Sequence, residues 1–244
     1  MIQLTNLQRH YVMASETIKA LDGIDLNIPA GERVVLLGPS GSGKTTLLNC
    51  ISGLDTPTYG EYLFDGISVH TKTVEDAHSL WTKGLSFVRN TNSEELTTFR
   101  RKNVGYVFQF FNLLQDLTVL ENVLLIQELS GQRDVNRAKE VLRLVGLEGE
   151  IDRFPSEISG GQQQRVAIAR SIAKNPKLLL GDELTGNLDT ETSAKVMGVL
   201  TEACKKENIT TIMVTHDESL AKYATRVIRL DSGKVKSDEQ VKSD

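Results

Sequence analysis

The chain has 244 residues, 39% of them hydrophobic and 25% charged, and its 28 basic and 32 acidic side chains give a net charge of −4. This composition is ordinary for a globular protein with a sizeable core, and the acidic balance argues against a nucleic-acid partner. Cys50 and Cys204 are too far apart for a metal-ligand motif, which indicates two reduced thiols in an intracellular protein. No apolar run approaches the ~20 residues of a membrane helix and no signal-peptide pattern opens the chain, so we expect any membrane role to require a partner.

The apolar pattern predicts alternating strands and helices. Residues 2–28 alternate apolar and polar side chains, as half-buried strands do, whereas residues 34–37 form an apolar run typical of a parallel strand. Apolar residues at three- and four-residue steps indicate helices within 119–173, with a stop at Gly146. The other predicted elements are helices over 44–52 and 190–206 and strands over 61–64, 104–108, 178–180, 211–214, 226–230 and 234–236. The mixed-charge tail, residues 231–244, is predicted to be solvated and frayed.

A glycine-rich loop follows the apolar run 34–37 and matches the pattern G-x-x-x-x-G-K-[ST] in full. Its glycines allow successive backbone N–H groups to point at phosphate oxygens, and the helix start adds a positive dipole end. We expect Lys44 to bind the β- and γ-phosphates of a nucleotide and Thr45 to ligate Mg²⁺. The predicted nucleotide-binding residues of this loop are Gly38, Pro39, Ser40, Gly41, Ser42, Gly43, Lys44, Thr45 and Thr46. The loop alone does not distinguish an ATPase from a kinase or a GTPase.

Two carboxylates end the apolar run that begins at Leu178. Asp182 lies where a sheet strand beside a phosphate loop would place a Mg²⁺ ligand. Glu183 can accept a proton from the water that attacks the γ-phosphate, or orient that water. By themselves these residues could be solvated acids at a strand end, and the upstream phosphate loop is what favours a hydrolytic role.

A second candidate anion site lies far along the chain. Ser159, Gly160 and Gly161 precede a predicted helix with apolar residues, which gives a serine-capped helix start with bare backbone amides. Because the glycine-rich loop already supplies one phosphate site, a second site suits a head-to-tail dimer. Ser159 could equally be an ordinary helix cap, or it could serve both purposes.

Residues 158–170 closely resemble the signature motif of ATP-binding-cassette (ABC) proteins, and other marks of that family occur in the expected order. Gln109 resembles the family's Q-loop glutamine, residues 186–189 resemble its D-loop, and His216 resembles its switch histidine. Tyr11 lies where the family has an aromatic residue that stacks on adenine. Outside this resemblance, Gln109 would be an ordinary surface glutamine and Tyr11 an ordinary packing residue.

The resemblance covers nearly the whole chain and implies an α/β fold: a RecA-like P-loop NTPase core with an antiparallel β lobe and an inserted helical subdomain. Residues 1–244 would then be a single nucleotide-binding domain. Its core and β lobe would occupy about 1–110 and 174–236, and its helical signature subdomain about 111–173.

The family also implies roles for individual residues and a second copy of the chain. Two copies would enclose two Mg-ATP, and Ser159 and Gly161 of one copy would close over the γ-phosphate held by Lys44 of the other. The implied catalytic residues are Glu183, His216 and Gln109, and the implied Mg²⁺ ligands are Thr45, Gln109 and Asp182. The implied nucleotide contacts beyond the phosphate loop are Tyr11, Ser159, Gly160, Gly161, Gln162 and Asp189.

Within the family, residues 38–49, 108–114, 121–123 and 185–189 resemble the lipoprotein-release, macrolide-export and cell-division branch. This branch implies an ATPase homodimer that drives a separate integral membrane permease-type subunit. The ATPase would then be cytoplasmic and peripheral, at the inner face of the cell membrane. It also implies that residues 110–114 face that subunit, although these apolar residues could equally be core.

The chain departs from the family pattern in three places. Leu184 replaces the usual proline and Gly181 replaces the usual alanine, so we expect a freer loop around the two carboxylates. Both carboxylates are present, and hydrolysis is therefore expected to survive. Residues 70–95 form a stretch longer than the branch needs, and we interpret it as an added flap on the β lobe.

Two other functions compete with the transport ATPase. A dimerisation switch with little hydrolysis is possible because a loose loop could misplace Glu183. A soluble ABC ATPase of DNA repair or translation is disfavoured by the acidic charge, by the lack of a coiled-coil insertion, and by the presence of one cassette instead of two.

Overall fold

The computed structural model describes residues 1–13, 16–72 and 93–241. The strands are β1 (Ile2–Val12), β2 (Thr17–Ile28), β3 (Arg33–Leu37), β4 (Tyr59–Phe64), β5 (Ile67–Lys72), β6 (Val104–Val107), β7 (Leu178–Asp182), β8 (Thr210–Val214), β9 (Arg226–Asp231) and β10 (Lys234–Gln240). The α-helices are α1 (Lys44–Ser52), α2 (Ser93–Asn103), α3 (Val119–Leu129), α4 (Val135–Leu144), α5 (Gly160–Ile172) and α6 (Thr190–Lys206). Short 3-10 helices span Glu148–Glu150, Pro155–Glu157 and Glu218–Tyr223. The flap predicted over residues 70–95 lies, for residues 73–92, outside the described part of the chain.

The described strands form two sheets. One is an antiparallel sheet of four strands in the order β2-β1-β4-β5. The other has six strands in the order β10-β9-β3-β8-β7-β6, and its neighbours run parallel except for the β9–β10 pair. The sequence prediction of an α/β protein with an antiparallel lobe is therefore confirmed.

The inner strands β3, β8 and β7 of the six-stranded sheet are buried on both faces, which explains why their apolar side chains do not alternate with exposed polar ones. On β3, Val35 and Leu37 pack into a core shared with helices α3 to α6. Val34 and Leu36 point the other way, into a core shared with α1 and the antiparallel sheet. Strand ends are thus held rigidly, and the loops after β3, β7 and β8 leave from a fixed edge.

Helix starts follow from local side-chain chemistry. Thr118 and Glu121 form a capping box at α3, as Ser159 and Gln162 do at α5. Asp189 caps α6 by accepting a hydrogen bond from the Thr192 N–H at 3.0 Å. Each cap satisfies amides that would otherwise lack partners, so the helices begin at these polar residues.

The chain end differs from the sequence prediction. Residues 231–241 are not a frayed tail, because β10 runs to Gln240 and pairs with β9. Arg226 binds both carboxylate oxygens of Asp238 at 2.6 Å, and Val241 N–H donates to the Thr225 carbonyl at 2.8 Å. Among the described helices, none is long and apolar enough to cross a membrane.

Candidate functional site

The glycine-rich loop presents free amides at the start of α1. Gly43 is the N-cap residue of this helix and supplies no side-chain cap. Its φ of 98° and the close approach of the Ala20 carbonyl leave no room for a side chain there. The first amides of α1 therefore remain available to an anion.

Lys44 is buried against the same loop, with 8% of its surface exposed. Its ammonium donates to the carbonyls of Gly38 at 2.9 Å and Pro39 at 2.8 Å. These neutral acceptors are weaker partners than phosphate oxygens, so a bound phosphate would compete well for the ammonium.

Thr45 and Asp182 bring two hard oxygen ligands together. Thr45 Oγ1 donates to Asp182 Oδ1 at 3.5 Å. Burial, and secondly the charge of Glu183, raise the pKa of Asp182, although the hydrogen bond from Thr45 lowers it. Among the described residues no group of three or more His, Cys, Asp or Glu side chains could hold a metal. A hydroxyl and one carboxylate fit Mg²⁺, which usually takes one or two protein carboxylates together with phosphate and water oxygens.

Glu183 is held in an uncommon backbone conformation beside His216. Its φ is 47°, in the left-handed region. Its N–H donates to the Val214 carbonyl and its own carbonyl accepts from the Gly186 N–H, both at 3.0 Å. Glu183 Oε1 lies 3.2 Å from His216 Nδ1. The carboxylate and the imidazole thus form a pair at the carboxyl edge of the parallel sheet.

One open cavity of about 570 Å³ joins most of these groups. A volume of this size suits a small-molecule ligand. The predicted residues that line it are Tyr11, Ser40, Gly41, Gly43, Lys44, Thr45, Thr46, Glu183 and His216. Of the predicted residues, Gly38, Pro39, Ser42, Gln109, Asp182, Asp189 and residues 159–162 are not among the described lining of this cavity.

Tyr11 lines the cavity and is held by two neighbours. Its hydroxyl donates to Asp55 Oδ2 at 2.7 Å, and the Arg9 guanidinium carbon lies 4.4 Å from the ring centroid. Burial and, secondly, the hydrogen bond to Asp55 raise the pKa of Tyr11. The sequence prediction included neither partner, although Arg9 shares a strand face with Tyr11 because it lies two residues earlier.

Gln109 reaches the same region from β6. Its carbonyl accepts from Asn187 Nδ2 at 3.2 Å. Its Nε2 lies 3.2 Å from the point where a Cβ on Gly186 would be, and Glu183 Oε2 lies 3.7 Å from that point. The glutamine and glutamate side chains therefore both lie beside Gly186, although only Glu183 is among the described lining of the cavity.

The start of α5 is a separate feature. Ser159 Oγ accepts from the Gln162 N–H at 3.3 Å, and Gln162 Oε1 accepts from the Ser159 N–H at 2.8 Å. Gly161 packs against the Thr192 side chain and Gly160 against Phe111. The predicted second anion site is thus a capped helix start, and the cavity around Lys44 does not include it among its described lining.

Two residues that the sequence prediction did not single out hold the segment after Gln109. Arg170 of α5 donates to the carbonyls of Phe111 at 3.0 Å and Asn112 at 2.6 Å. The buried Asn122 amide accepts from Leu114 N–H at 2.9 Å and donates to three carbonyls. Arg170 could have been noticed as a charge among apolar residues of the signature helix.

A groove of about 450 Å³ is lined in part by this segment, through Asn112. Its described lining includes the exposed apolar side chains of Leu54, Phe108 and Leu129. It also includes four cations and no carboxylate, namely Arg100, Arg101, Arg170 and Lys174. Burial lowers the pKa of Lys174 to about 8.

Residues 110–114, predicted to face a partner or the core, divide between the two environments. Phe110 is 67% exposed and Leu114 is 49% exposed, whereas Leu113 is buried. Phe111 is partly buried against the core and against Gly160. The exposed members, Phe110 and Leu114, are not among the described lining of the groove.

Comparisons with known proteins agree with this arrangement. Residues 21–186 match the family described as ABC transporter. The chain is 43% identical over 244 residues to ABC transporter H family member 2 of Dictyostelium discoideum, covering 98% of this chain and 44% of the relative's length. It is 40% identical over 238 residues to a lipoprotein-releasing system ATP-binding protein of Syntrophus aciditrophicus, covering 96% and 98% of the two chains.

A solved dimeric structure is also similar over the full length of both chains. It shows the ATP-binding cassette MJ0796 of Methanocaldococcus jannaschii in a post-hydrolysis state bound to ADP and Pi. The TM-score is 0.80 at 38% sequence identity, with 100% of each chain covered. The fold and the branch predicted from the motifs agree with these relatives.

Proposed function

Since this chain belongs to the ABC transporter family, we propose that it binds and hydrolyses Mg-ATP as a subunit that drives a separate membrane protein. The observation that carries the proposal is the single cavity that contains Tyr11, Lys44, Glu183 and His216. Its lining includes an aromatic ring for a base, amides and a cation for phosphates, and a carboxylate for an attacking water.

Phosphate binding uses groups that the free protein already orients. The Lys44 ammonium exchanges the carbonyls of Gly38 and Pro39 for the β- and γ-phosphate oxygens, which are stronger acceptors. The uncapped amides of α1 add their partial positive charge. Thr45 and Asp182 are the residues that would hold Mg²⁺, and this ion would neutralise developing phosphate charge.

Hydrolysis depends on Glu183 and its neighbours. The Glu183 carboxylate accepts a proton from the water, and its two backbone hydrogen bonds keep the side chain at the sheet edge. His216 lies within 3.2 Å of this carboxylate and donates to the γ-phosphate. Gln109 lies beside the same Gly186 as Glu183, where it can orient the water or contribute an oxygen to Mg²⁺.

A second copy completes the site. In one chain the signature residues Ser159 and Gly161 lie outside the cavity that Lys44 lines, as far as its described lining extends. A head-to-tail pair brings the α5 start of one copy over the γ-phosphate bound to the other copy, which encloses two nucleotides. The dimeric form of the similar cassette MJ0796 supports this arrangement.

The membrane partner would dock at the groove beside α2 and α3. Exposed Leu54, Phe108 and Leu129 offer apolar contact, and the four cations favour a partner segment that carries carboxylates. Arg170 belongs to this groove and also holds the carbonyls that follow Gln109, so docking can act on the nucleotide site. The protein would then act at the cytoplasmic face of the membrane through this partner.

The decisive experiment is Glu183→Gln in the full chain. Loss of the base should lower steady-state phosphate release by about 10²- to 10⁴-fold while ATP binding is kept. The variant should accumulate an ATP-bound dimer, which light scattering with and without ATP would detect. Glu128→Gln, at an exposed position of α3, is the matched control and should release phosphate at the wild-type rate.

The outcomes separate the candidate functions. Undiminished phosphate release in Glu183→Gln would remove the role given to this residue. Wild-type protein that dimerises with ATP but releases no phosphate would instead be the dimerisation switch. Co-purification of a membrane subunit, identified by its mass, would support the transport role over a soluble ABC ATPase.

A further inference from the structure

Gly181 and Leu184 form a tight contact around the two carboxylates. A Cβ on Gly181 would lie 2.7 Å from Leu184 Cδ1, 2.8 Å from Cγ and 3.0 Å from Cδ2. Carbon atoms pack best at about 3.5–4.0 Å, so even an alanine at 181 would overlap the leucine. Three atoms are involved, and moving one methyl group would not relieve the overlap.

Leu184 cannot easily move away, because only 4% of its surface is exposed and it packs in the core with the helices. The freer loop expected from the sequence is therefore opposed by a buried anchor. Gly181 and Leu184, the two departures from the family pattern, therefore fit each other: glycine at 181 leaves the space that the leucine side chain at 184 fills.

Leu184 lies next to Glu183, whose uncommon backbone conformation needs support from its surroundings. Glu183 has a left-handed φ of 47°, which residues other than glycine seldom adopt unless their surroundings hold them there. The hydrogen bond to Val214 fixes the amino side of Glu183. Leu184 follows directly in the chain, so its burial fixes the carboxyl side.

We propose that Leu184 is a positioning residue that holds the Glu183 carboxylate at the cavity by packing over Gly181. This inference rests on the proposed function, because it assigns Leu184 a role in the hydrolysis by Glu183. It predicts that hydrolysis depends on the size of residue 181 only while leucine occupies position 184.

A double-mutant cycle tests this coupling. Gly181→Ala should displace Leu184 and lower kcat by about 10- to 10²-fold, since a displacement of about 1 Å costs that much. Leu184→Ala should lower kcat by about tenfold through loss of the anchor, on the same scale. The KM for ATP should stay near wild type in both, because the phosphate loop is untouched. Adding Gly181→Ala to the Leu184→Ala chain should change kcat by less than about twofold, which is the non-additivity of a direct contact.

Gly149→Ala is the control, because a Cβ at Gly149 meets nothing within 4 Å. It should leave kcat unchanged. If Gly181→Ala does not fold, the kcat and KM of Leu184→Ala alone decide the question, and wild-type kcat there would overturn the proposal.

Three results would overturn the inference. They are wild-type kcat in Gly181→Ala, a fall in thermal midpoint without a fall in kcat, and losses that multiply in the double variant. In each of these cases Glu183→Gln would still abolish turnover, so the proposed function would stand. Wild-type protein without phosphate release would instead refute the proposed function together with this inference.

Discussion

Helices α1 and α5 both begin with glycine-rich segments whose amides can bind an anion, but their free states differ. At α1 the N-cap is Gly43, and no side chain occupies the amides. At α5 the N-cap is Ser159, and its capping box with Gln162 satisfies amides at both positions. The first helix start has no side-chain cap, whereas the second satisfies two of its amides within the isolated chain.

This difference indicates an order of events. A phosphate gains most where polar groups lack partners, so ATP should bind first at the loop before α1. In the proposed dimer, the α5 start of a second copy would then share or exchange its cap contacts to reach the γ-phosphate. We therefore expect closure of this dimer to release less free energy per contact than the first binding step.

The largest expected effect comes from removing the charge of Lys44 at the phosphate site before α1. Lys44→Met keeps the buried stem of the side chain but removes the charge that contacts two phosphates. At about 1.5–3 kcal/mol for each charged hydrogen bond, ATP binding should weaken by about 10³-fold. Isothermal titration with Mg-ATP measures this loss directly.

Lys195→Met is the control for Lys44→Met, because Lys195 is 72% exposed on α6 and pairs with Glu191. Its affinity for ATP should equal that of the wild type. Unchanged affinity in Lys44→Met would mean that the loop before α1 is not the principal phosphate site.

The next effect distinguishes the role of Ser159 as a helix cap from its role in the ATP-dependent dimer. Ser159→Ala and Thr118→Ala each remove the serine or threonine of a capping box, so both should lower stability by about 1 kcal/mol. For a domain of this size that corresponds to about 2–4 °C in the thermal midpoint. Only Ser159→Ala should also weaken the ATP-dependent dimer, by about 10²-fold, because the two-fold pair loses one charged contact at each of two sites.

Analytical ultracentrifugation with ATP, in the Glu183→Gln background to prevent turnover, measures this dimer. Thr118→Ala is the matched control and should dimerise like its parent. Equal dimer formation in the two variants would reduce Ser159 to an ordinary helix cap, the alternative that the sequence left open.

Local chemistry explains why so much of the fold could be predicted. The strand before the loop, the helix after Gly43 and the cap at Ser159 all follow from residues within a few positions of one another. The site needs contacts that sequence spacing does not reveal. Asp55 meets Tyr11 from 44 residues away, because β1 and the segment after α1 are brought together by packing.

The loop around Glu183 shows that even contacts between residues close in sequence are not always predictable from the sequence. Glycine at 181 and leucine at 184 each predict freedom when considered singly. Their contact reverses that expectation, since the leucine side chain fills the space above the glycine. A rule based on single residues cannot anticipate a result that depends on a pair.

The smallest expected effect concerns Tyr11, the aromatic residue that lines the cavity and would contact the base. Tyr11→Leu keeps an apolar side chain but removes the ring and its hydroxyl bond to Asp55. Stacking on a base is worth about 1–3 kcal/mol, and the lower end suits a ring that is 37% exposed, so the KM for ATP should rise about tenfold. The value of kcat should hold, since the substitution leaves the phosphate loop and Glu183 unchanged. Asp55→Asn keeps the ring but weakens its support, and it should produce a smaller rise in KM.

Steady-state kinetics with ATP measures the effects of Tyr11→Leu and Asp55→Asn. The control is Phe154→Ala, which changes an exposed aromatic residue outside the described lining of the cavity. A wild-type KM in Tyr11→Leu would make this tyrosine a packing residue alone. The difference between the starts of α1 and α5 would then be larger, because the loop before α1 would hold the nucleotide through its phosphates without help from the base.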